Sequence, residues 1–229
     1  MKQNYFPKVA IKGRVKVCLK TLMLLGIKGK YIVDIGSSIG WLEKELLKYK
    51  PKKLVGVEPD AGAVLFSQKR VKEATFIKAS ATKIPISDGT ADIVVMFDVL
   101  EHVPKSEEKD ALKEANRILK KGGKLVLSTP NSNFLTNILD FAWYLGHRHY
   151  RKEHLTNILK NAGFKIKKLE IRGGLWFSVY LIWHYFTKWI LRKPLVVNKF
   201  LMEKDDKQFL EKEGIHTIIL IASKILPPQ

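Results

Sequence analysis

The chain has 229 residues, 46% of them apolar, and 41 Lys and Arg against 22 Asp and Glu give it a formal charge of +19. That length and apolar content suffice to bury a full core as one domain over residues 1–229. The one cysteine, Cys18, excludes an internal disulfide and a cysteine-built zinc cluster, which fits a reducing cytoplasm.

Met1 to Ile11 has no continuous apolar run, so no secretion signal is read there. An N-terminal helix is expected over about 13–26, centred on Val15 to Leu25, with Cys18 buried in it. Tyr31-Ile32-Val33 then reads as a strand that runs into Asp34-Ile35-Gly36-Ser37-Ser38-Ile39-Gly40 and opens a helix from Leu42 to Tyr49. Gly36 and Gly40 allow a sharp turn and a close backbone approach to a ligand, and the first free N–H groups of the helix face the same spot. A second strand, Leu54-Val55-Gly56-Val57, ends at Glu58, roughly the ~20-residue interval at which an acid reaches a ribose hydroxyl in nucleoside-binding α/β folds. A dinucleotide fingerprint would place a middle glycine where Ser38 stands.

Further segments follow in order. They are Phe76-Ile77-Lys78-Ala79-Ser80-Ala81-Thr82-Lys83-Ile84-Pro85-Ile86, Ala91-Asp92-Ile93-Val94-Val95-Met96-Phe97-Asp98-Val99-Leu100-Glu101-His102-Val103, and Leu119-Lys120-Lys121-Gly122-Gly123-Lys124-Leu125-Val126-Leu127-Ser128-Thr129-Pro130-Asn131. Together with Asp34-x-Gly36-x-x-x-Gly40 and Glu58, they resemble the ordered motifs of class I S-adenosylmethionine (SAM) dependent methyltransferases, over roughly residues 15–172. The Leu100-Glu101-His102-Val103 run is similar to the small-molecule branch that includes quinone-ring O-methylases.

The resemblance implies a Rossmann-like, doubly wound α/β fold. Its seven-stranded sheet would have the order 3-2-1-4-5-7-6 and an antiparallel last strand. It implies SAM as cofactor, with the backbone of Gly36, Ser37, Ser38 and Gly40 holding the methionine end, Asp34 bracing that loop and Glu58 bonding the ribose. Pro59 would flank the adenine, and Ser80 and Ala81 would stand where relatives carry an acid for the adenine amino group. Phe97 and Asp98 would lie beside the methionine moiety.

Helices are expected over Ala63 to Val71, Glu107 to Leu119 and Glu153 to Ala162, the last stopped by Gly163 in a left-handed conformation. Phe164 to Ile171 and Ile215 to Ser223 read as the last two strands. His102 follows the fourth strand and is the candidate general base for a hydroxyl acceptor, with a loop-fixing role as the alternative. Asp98, Glu101 and His102 form D-x-x-E-H, which resembles a metal-holding E-x-x-E-H cluster of the quinone O-methylases, but the expectation is that no metal is bound. In Gly146-His147-Arg148-His149-Tyr150-Arg151, His147 and Tyr150 are the candidate acceptor contacts, on a segment whose cations suit an anionic or hydroxylated group.

An insertion over about 174–212 separates the last two strands. Its helix from Leu175 to Leu191 is expected to be amphipathic, with Val179, Ile182, Trp183, Phe186 and Ile190 on one face and His184, Lys188 and Arg192 on the other. It is too short and too charged for a transmembrane span. Peripheral contact with the inner membrane face, a homodimer contact and a cap over the pocket are the uses open to it. The lysine-rich charge is compatible with nucleic acid, anionic lipid or an acidic substrate, or with plain solvated surface. No nucleic-acid methylase motif is present. The expected activity is methyl transfer to a small or lipid-like acceptor, at oxygen. The alternatives are an NAD-binding oxidoreductase and a non-catalytic Rossmann-like binding module.

Overall fold

A computed structural model describes residues 11–139, 143, 146–192, 198–211 and 214–225. Seven strands form one sheet in the order β3-β2-β1-β4-β5-β7-β6, as the motifs imply. The strands are β1 (Tyr31–Ile35), β2 (Lys53–Glu58), β3 (Thr75–Lys78), β4 (Ala91–Phe97), β5 (Leu119–Pro130), β6 (Phe164–Arg172) and β7 (Thr217–Lys224). The first five pair in parallel, and β7 runs antiparallel between β5 and β6.

The apolar runs explain the layering. Ile93, Val94, Val95 and Met96 of β4 are all buried, as are Ile218 through Ala222 of β7, because helices cover both faces and neither face of these strands meets water. One core cluster joins Val33, Val94, Leu125 and Leu220 to Leu112 and Leu159, and the cluster on the other face joins Ile32, Ile93 and Val126 to Leu22 and Leu42. Strand order reverses between β1 and β4, so the crevice beyond their carboxyl ends is where such a sheet takes a ligand.

The helices are α1 (Gly13–Met23), α2 (Trp41–Leu46), α3 (Ala61–Arg70), α4 (Glu108–Ile118), α5 (Phe134–Leu139), α6 (Lys152–Asn161), α7 (Leu175–Tyr185) and α8 (Lys199–Leu210). Asp60 caps α3 by accepting from the Ala63 amide at 2.7 Å, and Asn198 caps α8 through the Leu201 amide. Gly163 stops α6 with φ +81°, as its position predicts. Cys18 is buried in α1.

The insertion departs from the expected pattern. α7 is followed by a wider turn over Phe186–Ile190, where the Leu191 amide reaches back five residues to the Phe186 carbonyl. α7 packs on α8 and α5, and α8 packs on α1. The inward side of α7 carries Phe177, packed on Phe209 and His216, and the buried Ser178, with Thr187 buried in the following turn, whereas Val179, Ile182, Phe186 and Ile190 point outward. The expected apolar row exists and is exposed, with Trp183 half-buried beside it. Lys193 to Val197 lie outside the described residues. Among the described residues no helix is long and apolar enough to cross a membrane.

Candidate active site

The loop after β1 is built by its glycines. Gly36 has φ +83°, and a Cβ there would lie 2.3 Å from Val99 Cγ2; Gly40 has φ +70°, and a Cβ there would lie 2.9 Å from Phe76 Cζ. Both positions therefore need glycine on conformational and steric grounds. The amides of Gly36 and Ser37 donate to the Val57 carbonyl at 2.7 and 3.1 Å, which ties the turn to β2. Ser37 is buried, and Ser38 takes a positive φ of 47°.

Glu58 joins the loop to the second strand. Its Oε2 accepts from the Ser38 amide at 2.9 Å and its Oε1 from the Asp60 amide at 3.1 Å, so the carboxylate is fixed at the crevice before any ligand arrives. Gly36, Pro59, Ser80 and Ala81 line a cleft of about 170 Å³ together with Val99 and His102. The Ser80 hydroxyl lies 2.9 Å from Thr82 Oγ1, within its own turn. A bare-backbone cradle, an oriented carboxylate and an apolar slot beside Pro59 fit a nucleoside with a charged methionine tail.

Beneath the loop, Asp34 is buried, and so is Glu43 of α2, and the two carboxyl groups interact with each other. Burial pushes Glu43 up to about 8, and Asp34 is also raised well above its ordinary value, first by burial and then by the charges of Glu43 and Glu58. Glu43 lies against β2: a Cβ on Gly56 would be 2.5 Å from its Oε1.

Phe97 and Asp98 lie at the end of β4, outside the lining of that cleft. Asp98 has φ +54°; its Oδ1 accepts from Ser128 Oγ at 2.9 Å, and its Oδ2 meets Arg14 Nη1 of α1 at 3.2 Å. Arg14 also stacks over the Phe177 ring of α7. Glu101 is buried and accepts from Thr129 Oγ1 at 2.9 Å; burial, then the Asp98 charge, pushes it up to about 8. His102 is exposed at the cleft, and its pKa is lowered by burial of part of the ring and by the neighbouring His147.

The ring of His102 lies 4.8 Å from that of His147. His147 lines a second, larger cavity of about 610 Å³ with Lys105, Arg148, His149, Arg151 and Glu108. The two cavities thus meet across this histidine pair. Tyr150 lines the second cavity but is 3% exposed; its hydroxyl lies 3.0 Å from Glu108 Oε2 and 3.1 Å from the Leu100 carbonyl, and accepts from Arg148 Nη2. Burial, then the Glu108 charge, raises its pKa. Of the D-x-x-E-H residues, Asp98 is engaged by Arg14 and Ser128, while Glu101 and His102 stand with His147, each offering a ligand atom within 4.8 Å of the others. That set has the chemistry to hold a small divalent cation.

Arg14, Glu43 and Glu108 are not singled out by the sequence. Arg14 reaches Asp98 across 84 positions, which no local pattern shows. Glu43 could have been found, because it lies between Leu42 and Leu46 on the inward side of a short helix.

Residues 11–169 match the family described as a methyltransferase domain. Among curated proteins, the chain is 25% identical over 140 residues to a Mycolicibacterium smegmatis protein named "Probable S-adenosylmethionine-dependent methyltransferase", covering 61% of this chain and 53% of that one. It is 26% identical over 190 residues to an uncharacterized methyltransferase of Mycolicibacterium paratuberculosis, covering 76% and 73%. Against the first of these the chain spans about half of the relative's length. A Bacillus halodurans structure described as a putative methyltransferase superposes with a TM-score of 0.65 at 17% identity, covering 92% of this chain and 100% of that one, a likeness of fold. With the family matched over most of its length and the glycine loop, Glu58 and the sheet order in place, the chain belongs to the methyltransferase domain family, within the class I SAM-dependent methyltransferases.

Proposed function

We propose that this protein transfers a methyl group from SAM to a hydroxyl oxygen of a small or lipid-like acceptor, with His102 as the base. The observation that carries this reading is the place of His102, at the contact between the nucleoside-shaped cleft and the larger cavity. SAM, when bound, supplies an already activated methyl group, so the chain's own work is to hold the acceptor in line, exclude water and take one proton. His102 would take the proton that the acceptor hydroxyl gives up on methylation, the electron pair of the broken sulfur–carbon bond leaving with S-adenosylhomocysteine. A lowered pKa keeps the imidazole in its accepting form at neutral pH.

Gly36, Ser37, Ser38 and Gly40 would present backbone to the methionine end, and Glu58 would bond the ribose. Asp34 would brace the loop from below, and Pro59, Ser80 and Ala81 would flank the adenine. Phe97 and Asp98 would bound the methionine side. His147 and Tyr150 belong to the acceptor side, Tyr150 by holding Arg148 and Glu108 in position. The exposed row Val179, Ile182, Phe186 and Ile190, close to Lys188 and Arg192, supports peripheral contact with a bilayer surface, where an apolar acceptor would be delivered. Release of S-adenosylhomocysteine on incubation with SAM and hydroxylated acceptors tests the reading; NAD binding in place of SAM binding would replace it with an oxidoreductase.

A further inference from the structure

The larger cavity has a charge pattern that the methyl-transfer reading does not use. Among the described residues, Lys105, Arg148 and Arg151 line it together with one carboxylate, Glu108. Glu108 is buried and already engaged, accepting from the Tyr150 hydroxyl at 3.0 Å and lying 3.6 Å from His154 Nε2 and 3.9 Å from Arg148 Nη2. Arg148 also donates to the Leu100 carbonyl and the Tyr150 hydroxyl, while its Nε is buried with no hydrogen-bond partner. Lys105 and Arg151 are exposed at the mouth of the cavity.

We infer that this cavity binds an anionic group of the acceptor, a carboxylate or a phosphate, between Lys105 and Arg151 and against the Arg148 face. The inference rests on the methyltransferase reading only in calling the ligand an acceptor. Its geometry follows from the contact between the cavities: an anion held there leaves the rest of the molecule to pass His147 and reach His102, 4.8 Å from ring to ring. Cationic side chains converging in a concave site favour charged over neutral ligands through charge-assisted hydrogen bonds. Such a site fixes which end of the acceptor faces the methyl group.

The test is calorimetric titration of the full chain with phenyl phosphate, with phenol as its uncharged analogue, and separately with S-adenosylhomocysteine. Phenyl phosphate is expected to bind at least about tenfold more tightly than phenol. The K105Q/R151Q protein is expected to lose that margin while keeping its melting temperature and its affinity for S-adenosylhomocysteine. The K121Q/K124Q protein, altered at a basic surface elsewhere, is expected to bind phenyl phosphate like the parent. Equal binding of phenol and phenyl phosphate, or an equal loss in both double variants, would overturn the inference, since net charge rather than this cavity would then be acting. Binding of phenyl phosphate without S-adenosylhomocysteine would leave the cavity in place and remove the methyltransferase reading. Glycerophosphoglycerol, the soluble headgroup of phosphatidylglycerol, assigns the source of the anion: it displaces phenyl phosphate from the parent if the site takes a lipid headgroup, and does not if the site takes a soluble acid.

Discussion

The Arg14 guanidinium meets the Asp98 carboxylate at 3.2 Å, and this contact ties the first helix to the end of the fourth strand. It also sets the charge balance next to Glu101, whose carboxyl is held up to about 8 by burial and by Asp98. Arg14→Ala leaves two neighbouring carboxyl groups without that cation. We expect a loss of about 1–3 kcal/mol in urea unfolding, larger at pH 9, where Glu101 is ionised, than at pH 6. An equal loss at both pH values would mean that Arg14 acts through Asp98 and Phe177 and not through Glu101.

Glu43 predicts a second pH dependence, of known sign. Its folded pKa of about 8 lies above its ordinary 4.5. The folded chain therefore keeps a proton that the unfolded chain releases between these values, and the stability this proton supplies is complete below 4.5 and lost as pH rises through 8. Glu43→Gln mimics the protonated acid. It should match the parent's melting temperature at pH 4.5 and exceed it at pH 9 by about 2–4 °C or more. A parent curve equally flat from pH 5 to 9 would contradict the burial argument.

For His102, the expected result is a split between rate and affinity. His102→Ala should lower kcat by about 10²–10⁴ and leave the affinity for S-adenosylhomocysteine nearly unchanged. The parent's kcat/KM should fall to half on the acid side below the ordinary histidine value of 6.5, because burial and His147 lower this imidazole. Loss of cofactor affinity in step with rate would assign His102 to the loop scaffold instead. Activity abolished by EDTA and restored by magnesium would assign Glu101, His102 and His147 to a metal.

The parallel strands were legible in the sequence because strands covered on both faces must be apolar without interruption, as Ile93 to Met96 are. The glycine loop was legible because Gly36 and Gly40 meet steric demands that other residues fail. The insertion was legible only as composition. A helical wheel places Val179, Ile182, Phe186 and Ile190 on one face, but cannot say that Ser178 and Thr187 would be among the residues turned inward, since that depends on where α8 and α5 lie. The contacts of Arg14 and Arg148 were hidden for the same reason: each joins elements far apart along the chain.

That outward row yields a prediction of its own. The protein should sediment with anionic vesicles at low salt, more weakly at high salt, and more weakly still when Ile182 and Phe186 are both changed to Ser, because insertion and charge act together. Both side chains are already exposed, so the variant should keep the parent's melting temperature. A protein that stays in the supernatant at low salt would show that this face does not serve a membrane.

The central claim is that the crevice at Gly36 and Glu58 binds SAM, and it is tested most directly by calorimetric titration of the parent and Glu58→Ala with S-adenosylhomocysteine and with NAD. The account predicts one site per chain for S-adenosylhomocysteine and none for NAD. Removal of a charged hydrogen bond worth about 1.5–3 kcal/mol should weaken Glu58→Ala by about ten- to a hundredfold. Undiminished binding by a correctly folded Glu58→Ala protein, or tighter binding of NAD than of S-adenosylhomocysteine, would contradict it.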